Sequence, residues 1–144
     1  MRRLGLVMAA AALVSAGSVT AARADDLTGS NMLLCTAVQA TGCYDDGECN
    51  SDLPWNLNVP QFIQVDLKAK RLQTTKASGE NRATPIEYLK RDGGIIVLQG
   101  FERGRAFSFV IEEATGMASV AVAAPGRAVV VFGACTTMAE GTAR

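Results

Sequence analysis

Histidine is absent from all 144 residues. That removes Ser-His-Asp and Cys-His nucleophile systems, histidine zinc sites and histidine acid–base catalysis together. Glycine-rich phosphate loops are missing too. Gly93-Gly94, Gly100 and Gly104 match neither G-x-x-x-x-G-K-[ST] nor a dinucleotide fingerprint. There is no C-x-x-C pair, hence no thioredoxin-like redox motif. Paired carboxylates for glycoside hydrolysis are also wanting. Glu112 and Glu113 are adjacent, so on a strand they face opposite ways and both are expected in solvent, while Glu87 and Glu102 have no sequence partner. Beyond the first residues, no apolar run approaches the roughly 20 residues that cross a bilayer as a helix.

What is present begins with "MRRLGLVMAAAALVSAGSVTAARADD". Arg2 and Arg3 precede a small, apolar run from Leu4 to Ala16, and "ARA" at Ala22 to Ala24 stands just before Asp25. These are the parts of a secretory signal peptide, expected over residues 1–24. The run is too short and alanine-rich for an anchor. Leu34 before Cys35, where a small residue is wanted, argues against a lipoprotein. Residues 25–144 are then expected as a single β domain, periplasmic or secreted, with no membrane insertion after cleavage. They carry 11 basic against 14 acidic side chains, a balance of −3. That gives no support to nucleic-acid binding, which wants a basic patch.

All four cysteines, Cys35, Cys43, Cys49 and Cys135, fall in this part. An even number in an oxidising compartment reads as disulfides, and three pairings are open. Cys43 and Cys49 enclose "YDDGE", whose Gly47 lets the chain reverse, so a local bridge closes easily. Cys35 would then pair with Cys135 and tie the first apolar segment to the last. The spacing does not suit a four-cysteine zinc site, and Asp45, Asp46, Glu48 and Asp52 lack the EF-hand pattern. No metal and no cofactor are expected.

Beyond Pro60 the apolar period is two. "FIQVDL" puts Ile63, Val65 and Leu67 on one face; "RLQTT" follows, then "PIEYLKR" with Ile86 and Tyr88 on one side. "DGG" signals a hairpin into "IIVLQ". "RAFSFVIE" aligns Phe107, Phe109 and Ile111, "MASVAVA" aligns Ala118, Val120 and Val122, and "AVVVFGAC" closes the series. "MLLCTAVQA" is expected as the first strand; a helix capped by Ser30 or Asn31 and ended by Gly42 is the alternative. "NSDLPWNLNVPQF" and "ASGENRAT" are expected as connections. The fold class is therefore all-β: a small, disulfide-stapled, antiparallel up-and-down β-barrel of about eight strands, which removes the exposed edges. An open sheet or a two-layer sandwich is the alternative.

The set "LNVPQFIQVDLKAKRL", "TPI", "GRAFSFVIEEATGMASVAV" and "VVFGACT", between Leu57 and Thr136, resembles small exported bacterial β-rich proteins of uncharacterised function. These are turn and strand signatures, so the resemblance carries over no functional residue.

Binding rather than turnover is the expectation that remains, with an unknown small molecule or an envelope protein as partner. Trp55, in a polar loop, reads either as a plug in one end of the barrel or as an aromatic contact at its mouth. In "FERGR", Phe101 is flanked by Arg103 and Arg105, an anchor composition, though a plain solvated hairpin reads the same way. Phe62, Phe107, Phe109 and Phe132 are at strand spacing and are expected in the core. Two forms of binding compete. A lumen of about 300 Å³ or more beside Phe107 and Phe109 would mark small-molecule binding in or at the mouth of the barrel. A filled barrel with Phe101, Arg103 and Arg105 protruding would mark a protein-binding module, such as an inhibitor of an envelope-acting enzyme. A structural or stress envelope protein is the non-binding alternative.

Overall fold

Strand follows strand through almost the whole chain because its apolar residues alternate and its turns are short. A computed structural model describes residues 25–79 and 81–139; the expected signal peptide lies outside the described residues. The strands are β1 (Met32–Tyr44), β2 (Cys49–Asp52), β3 (Phe62–Asp66), β4 (Arg71–Thr74), β5 (Ala83–Pro85), β6 (Tyr88–Asp92), β7 (Ile95–Glu102), β8 (Arg105–Glu112), β9 (Met117–Ala124) and β10 (Arg127–Thr137). Two short 3₁₀ turns, Pro54–Leu57 and Lys76–Ser78, are the only helical elements among the described residues.

All pairings are antiparallel, in the order β5-β4-β3-β1-β10-β9-β8-β7-β6, with β2 beside β1 off that path. The sheet rolls into a half-barrel with up-and-down order. Its two edge strands, β5 and β6, are consecutive in the chain. Only Ile86 and Glu87 separate them, and this link spans the seam: Ile86 N–H donates to the Lys70 carbonyl (2.8 Å) and Glu87 N–H to the Gln99 carbonyl (2.9 Å). This change of partner corrects one expectation. "PIEYLKR" is not one strand with Ile86 and Tyr88 on a common face; Ile86 is buried, while Tyr88 is exposed. A second correction is β2, where a plain connection was expected.

Both disulfides join directly opposed residues of neighbouring strands. Cys35–Cys135 links β1 to β10 and Cys43–Cys49 links β1 to β2, with Cα atoms 4.0 and 4.1 Å apart. The first and last strands are thus covalently tied, as the cysteine spacing predicts.

β1 changes its inward parity halfway. Leu33 and Cys35 point inward, then Ala40 and Gly42, while β10 keeps Val129, Val131 and Cys135 inward throughout. A bulge between Ala37 and Gln39 absorbs the extra residue and leaves Val38 exposed. Gly133 makes this possible: a Cβ there would lie 2.1 Å from the Thr36 carbonyl oxygen. Two expected core residues are misplaced: Phe62, beside the inward Ile63 on β3, belongs to neither buried cluster, and Phe132 is the other. Phe132 lies between the inward Val131 and Gly133, so its ring is half exposed on the outer face.

The lumen has two parts. Below, Leu33, Val65, Leu67, Leu72, Ile96, Leu98, Phe109 and Ile111 form a continuous buried cluster. Leu27 is fully buried in it, held by the Leu27 N–H to Glu113 carbonyl bond of 2.8 Å. Arg91 clamps this floor, donating to the Leu27 carbonyl (2.8 Å), the Ser30 carbonyl (3.0 Å) and the Glu113 carboxylate. Glu113, expected in solvent, is therefore buried: the floor supplies the guanidinium that a buried carboxylate needs. Above, toward the end where β8 and β10 begin, a smaller cluster of Ala40, Leu57, Val129 and Val131 lines the wall.

Candidate ligand-binding site

The upper lumen is hollow because its strands carry small side chains at inward positions. β9 contributes Ala118, Val120, Val122 and Ala124; β10 contributes Val129, Val131 and Gly133; β1 contributes Ala37. Phe107 and Phe109, ring centroids 5.9 Å apart and nearly perpendicular, form the opposite side. Gly100 lets Phe107 lie there, since a Cβ at that position would meet the Phe107 ring at 2.5 Å. The cavity left between these walls measures about 140 Å³ and opens at the mouth. That is smaller than the 300 Å³ expected for a ligand-binding barrel, because the lower lumen is packed.

The loop after β2 completes the wall. Asp52 accepts hydrogen bonds from the Leu53 N–H (2.7 Å) and the Asn56 side-chain amide (2.9 Å), and these hold its carboxyl below the ordinary value, the Asn56 bond contributing most. Pro54 opens the 3₁₀ turn, and Asn58 leaves it in the left-handed conformation (φ 59°). Leu57 is thereby pushed inward, and Val59 and Pro60 line the cavity beside it. Trp55 is on the other side of the turn, 49% exposed, and plugs nothing.

At the mouth the chemistry changes to arginine. Arg82 stands just before β5, Arg105 opens β8 and Arg127 opens β10, and all three line the cavity. Glu102 is the carboxylate that two of them share: Arg82 Nη1 lies 3.3 Å from it and Arg105 Nη2 3.8 Å. Arg127 donates to the Leu57 carbonyl (3.0 Å) and stacks over the Tyr44 ring at 5.6 Å, but its Nε is buried with no hydrogen-bond acceptor among the described residues. Arg82, Arg103 and Arg105, with Asn58 and Asn81, border an open polar vestibule outside the cavity.

The candidates from the sequence therefore separate. Arg103 and Arg105 meet at the mouth. Arg103-Gly104 form the tight turn of the β7–β8 hairpin, both with positive φ (49° and 80°). Phe101, opposite Ala106, is 55% exposed and is not among the residues lining the cavity. Arg82, Glu102, Arg127, Leu57 and the valines of β9 were not legible as site residues. One signal was available. Beyond the Arg23-Ala24 of the expected signal peptide, Arg-Ala occurs at residues 82–83, 105–106 and 127–128, each time where a strand begins, and antiparallel order brings alternate strand starts to one rim.

No group of three or more potential metal-ligating side chains is found among the described residues, nor a helix long and apolar enough to cross a membrane. The two disulfides are compatible with an extracellular or periplasmic protein. No family model matches the chain, and no curated protein does either.

Proposed function

We propose that this is a non-catalytic binding protein of the periplasm or cell exterior, which holds a small apolar or amphipathic molecule in its upper lumen. The observation that carries this reading is the cavity of about 140 Å³, apolar in its walls and open at one end. An apolar void of about 150 Å³ in a protein stays dry and accepts a benzene-sized guest. Drug-sized ligands need about 300 Å³ or more, so the ligand is a single ring or one short chain.

Native mass spectrometry of protein from its own source, alongside titration with 1-hexanol, tests this. A retained small molecule, or a hexanol-dependent rise in Tm that Val122→Phe abolishes by filling the cavity, supports it. Absence of both overturns it.

A second reading is favoured by the exposed Phe101 beside Arg103 at a hairpin tip. Here the tip docks on a protein partner, for example as an inhibitor of an envelope-acting enzyme. Phe101→Ser separates the two: it leaves hexanol binding unchanged and removes docking.

A further inference from the structure

Arginine dominates the charged lining of the mouth, and this restricts what the lumen can accept. Arg82, Arg105 and Arg127 line the cavity and Arg103 borders its vestibule, against Glu102 as the acidic lining residue among those described. Residues 25–144 carry three more acidic than basic side chains, yet four of their 11 basic ones gather at this rim. Glu102 pairs with both Arg82 and Arg105, Arg103 is exposed, and the Arg127 Nε–H is buried without an acceptor among the described residues although its neighbour Nη2 is satisfied. A buried donor left unmade is costly unless something completes it. Guanidinium groups offer forked donors that fit a planar oxyanion in two-point contact.

Resting on the reading that the upper lumen takes a ligand, we infer that this ligand is a short anionic amphiphile. Its single ring or short chain fills the space between Phe107, Val120 and Val122, and its oxyanion head, a carboxylate or an equivalent group, sits among Arg82, Arg105 and Arg127. Glu102 keeps two of the arginines in place before the ligand arrives and limits the head to a low charge, since a second negative group would face it. Arg103, in the open, draws the anion toward the rim and holds it weakly.

The test is calorimetric titration of the disulfide-intact protein with three probes of one chain length: hexanoate, 1-hexanol and hexylammonium. Hexanoate is expected to bind about tenfold more tightly than hexanol, a margin of about 1.4 kcal/mol, with hexylammonium weakest. Raising the salt to about 0.5 M should narrow the gap between hexanoate and hexanol. Arg105→Gln should lower hexanoate affinity severalfold and hexanol affinity much less. Arg103→Gln, at an exposed turn position, should lower hexanoate affinity less than Arg105→Gln does. Equal affinities for hexanoate and hexanol, or loss of both probes alike in a folded Arg105→Gln protein, overturn the anionic assignment while leaving the lumen reading in place. No binding of any probe overturns the lumen reading itself, and this inference with it.

Discussion

The lower and upper halves of the lumen share the same strands but are finished in opposite ways. Below, branched and aromatic side chains fill the space, Leu27 seals the end, and Arg91 with Glu113 locks the seal. Above, alanine, valine and glycine face inward, none of the described residues plays the part of Leu27, and the arginine–glutamate cluster stands around an opening. An Arg–Glu pair is therefore present at each end, with different consequences. At the floor the guanidinium also satisfies two backbone carbonyls of the plug, so charge holds a lid shut. At the mouth three guanidinium groups and, among the described residues, one carboxylate line an open cavity. The difference teaches that one sheet can be packed solid at one end and left open at the other, the end where binding is proposed.

The sharpest way to break this division is through the disulfides, one in each half. Opening Cys35–Cys135, which closes a separation of 100 residues in the packed half, should cost about 4–5 kcal/mol, against about 2 kcal/mol for the six-residue Cys43–Cys49 link near the mouth. Urea unfolding of the double Cys→Ala proteins gives both numbers; equal losses would mean that the two halves do not differ in this respect.

Core truncation should follow the same split. Ile111→Ala leaves a void in the filled cluster and is expected to cost about 3–4 kcal/mol, whereas Val122→Ala only enlarges an existing cavity and should cost under about 1 kcal/mol. The comparison is read from denaturation midpoints at constant slope.

Arg91→Ala removes the clamp and leaves the Glu113 carboxylate buried. Because the Arg91 side chain is itself 30% exposed, the expected loss is about 2 kcal/mol, below that of a fully buried pair. Amide exchange at Leu27 and Glu113 should rise more than at Leu57; uniform exchange would argue that the floor is not a separate unit.

The smallest effect concerns the loop that carries Leu57. The Asp52 carboxyl is held below its ordinary value by the Asn56 and Leu53 bonds. Its contribution is thus present at neutral pH and is lost as the pH falls through that lowered value. The Asn56 side-chain amide resonances should move in that acid range and in no higher one, and Asp52→Asn should abolish the movement.

Strand periodicity showed where the chain would alternate, and the inward faces of β3, β8 and β9 are those the pattern implies. Positions that depend on a partner strand were not legible. Phe132 faces outward because parity on β10 is set by its neighbours, and Tyr88 is exposed because the chain changes partners at Ile86–Glu87. The site was half legible. Arg103 and Arg105 stood out as a loop composition, but Arg82 and Arg127 are 45 residues apart in sequence and reach one rim only through the sheet order.

By itself the sequence determined the β class, the absence of histidine chemistry, the tight hairpin turns and which cysteines could close a short bridge, because each of these depends on local composition and a two-residue period. Only the tertiary structure decided that one end of the lumen is full and the other empty, and that four arginines share the empty end. Cavity volume is set by the sum of side chains that distant strands bring to one level, and charge density by which strand ends meet; neither quantity exists until the sheet has rolled.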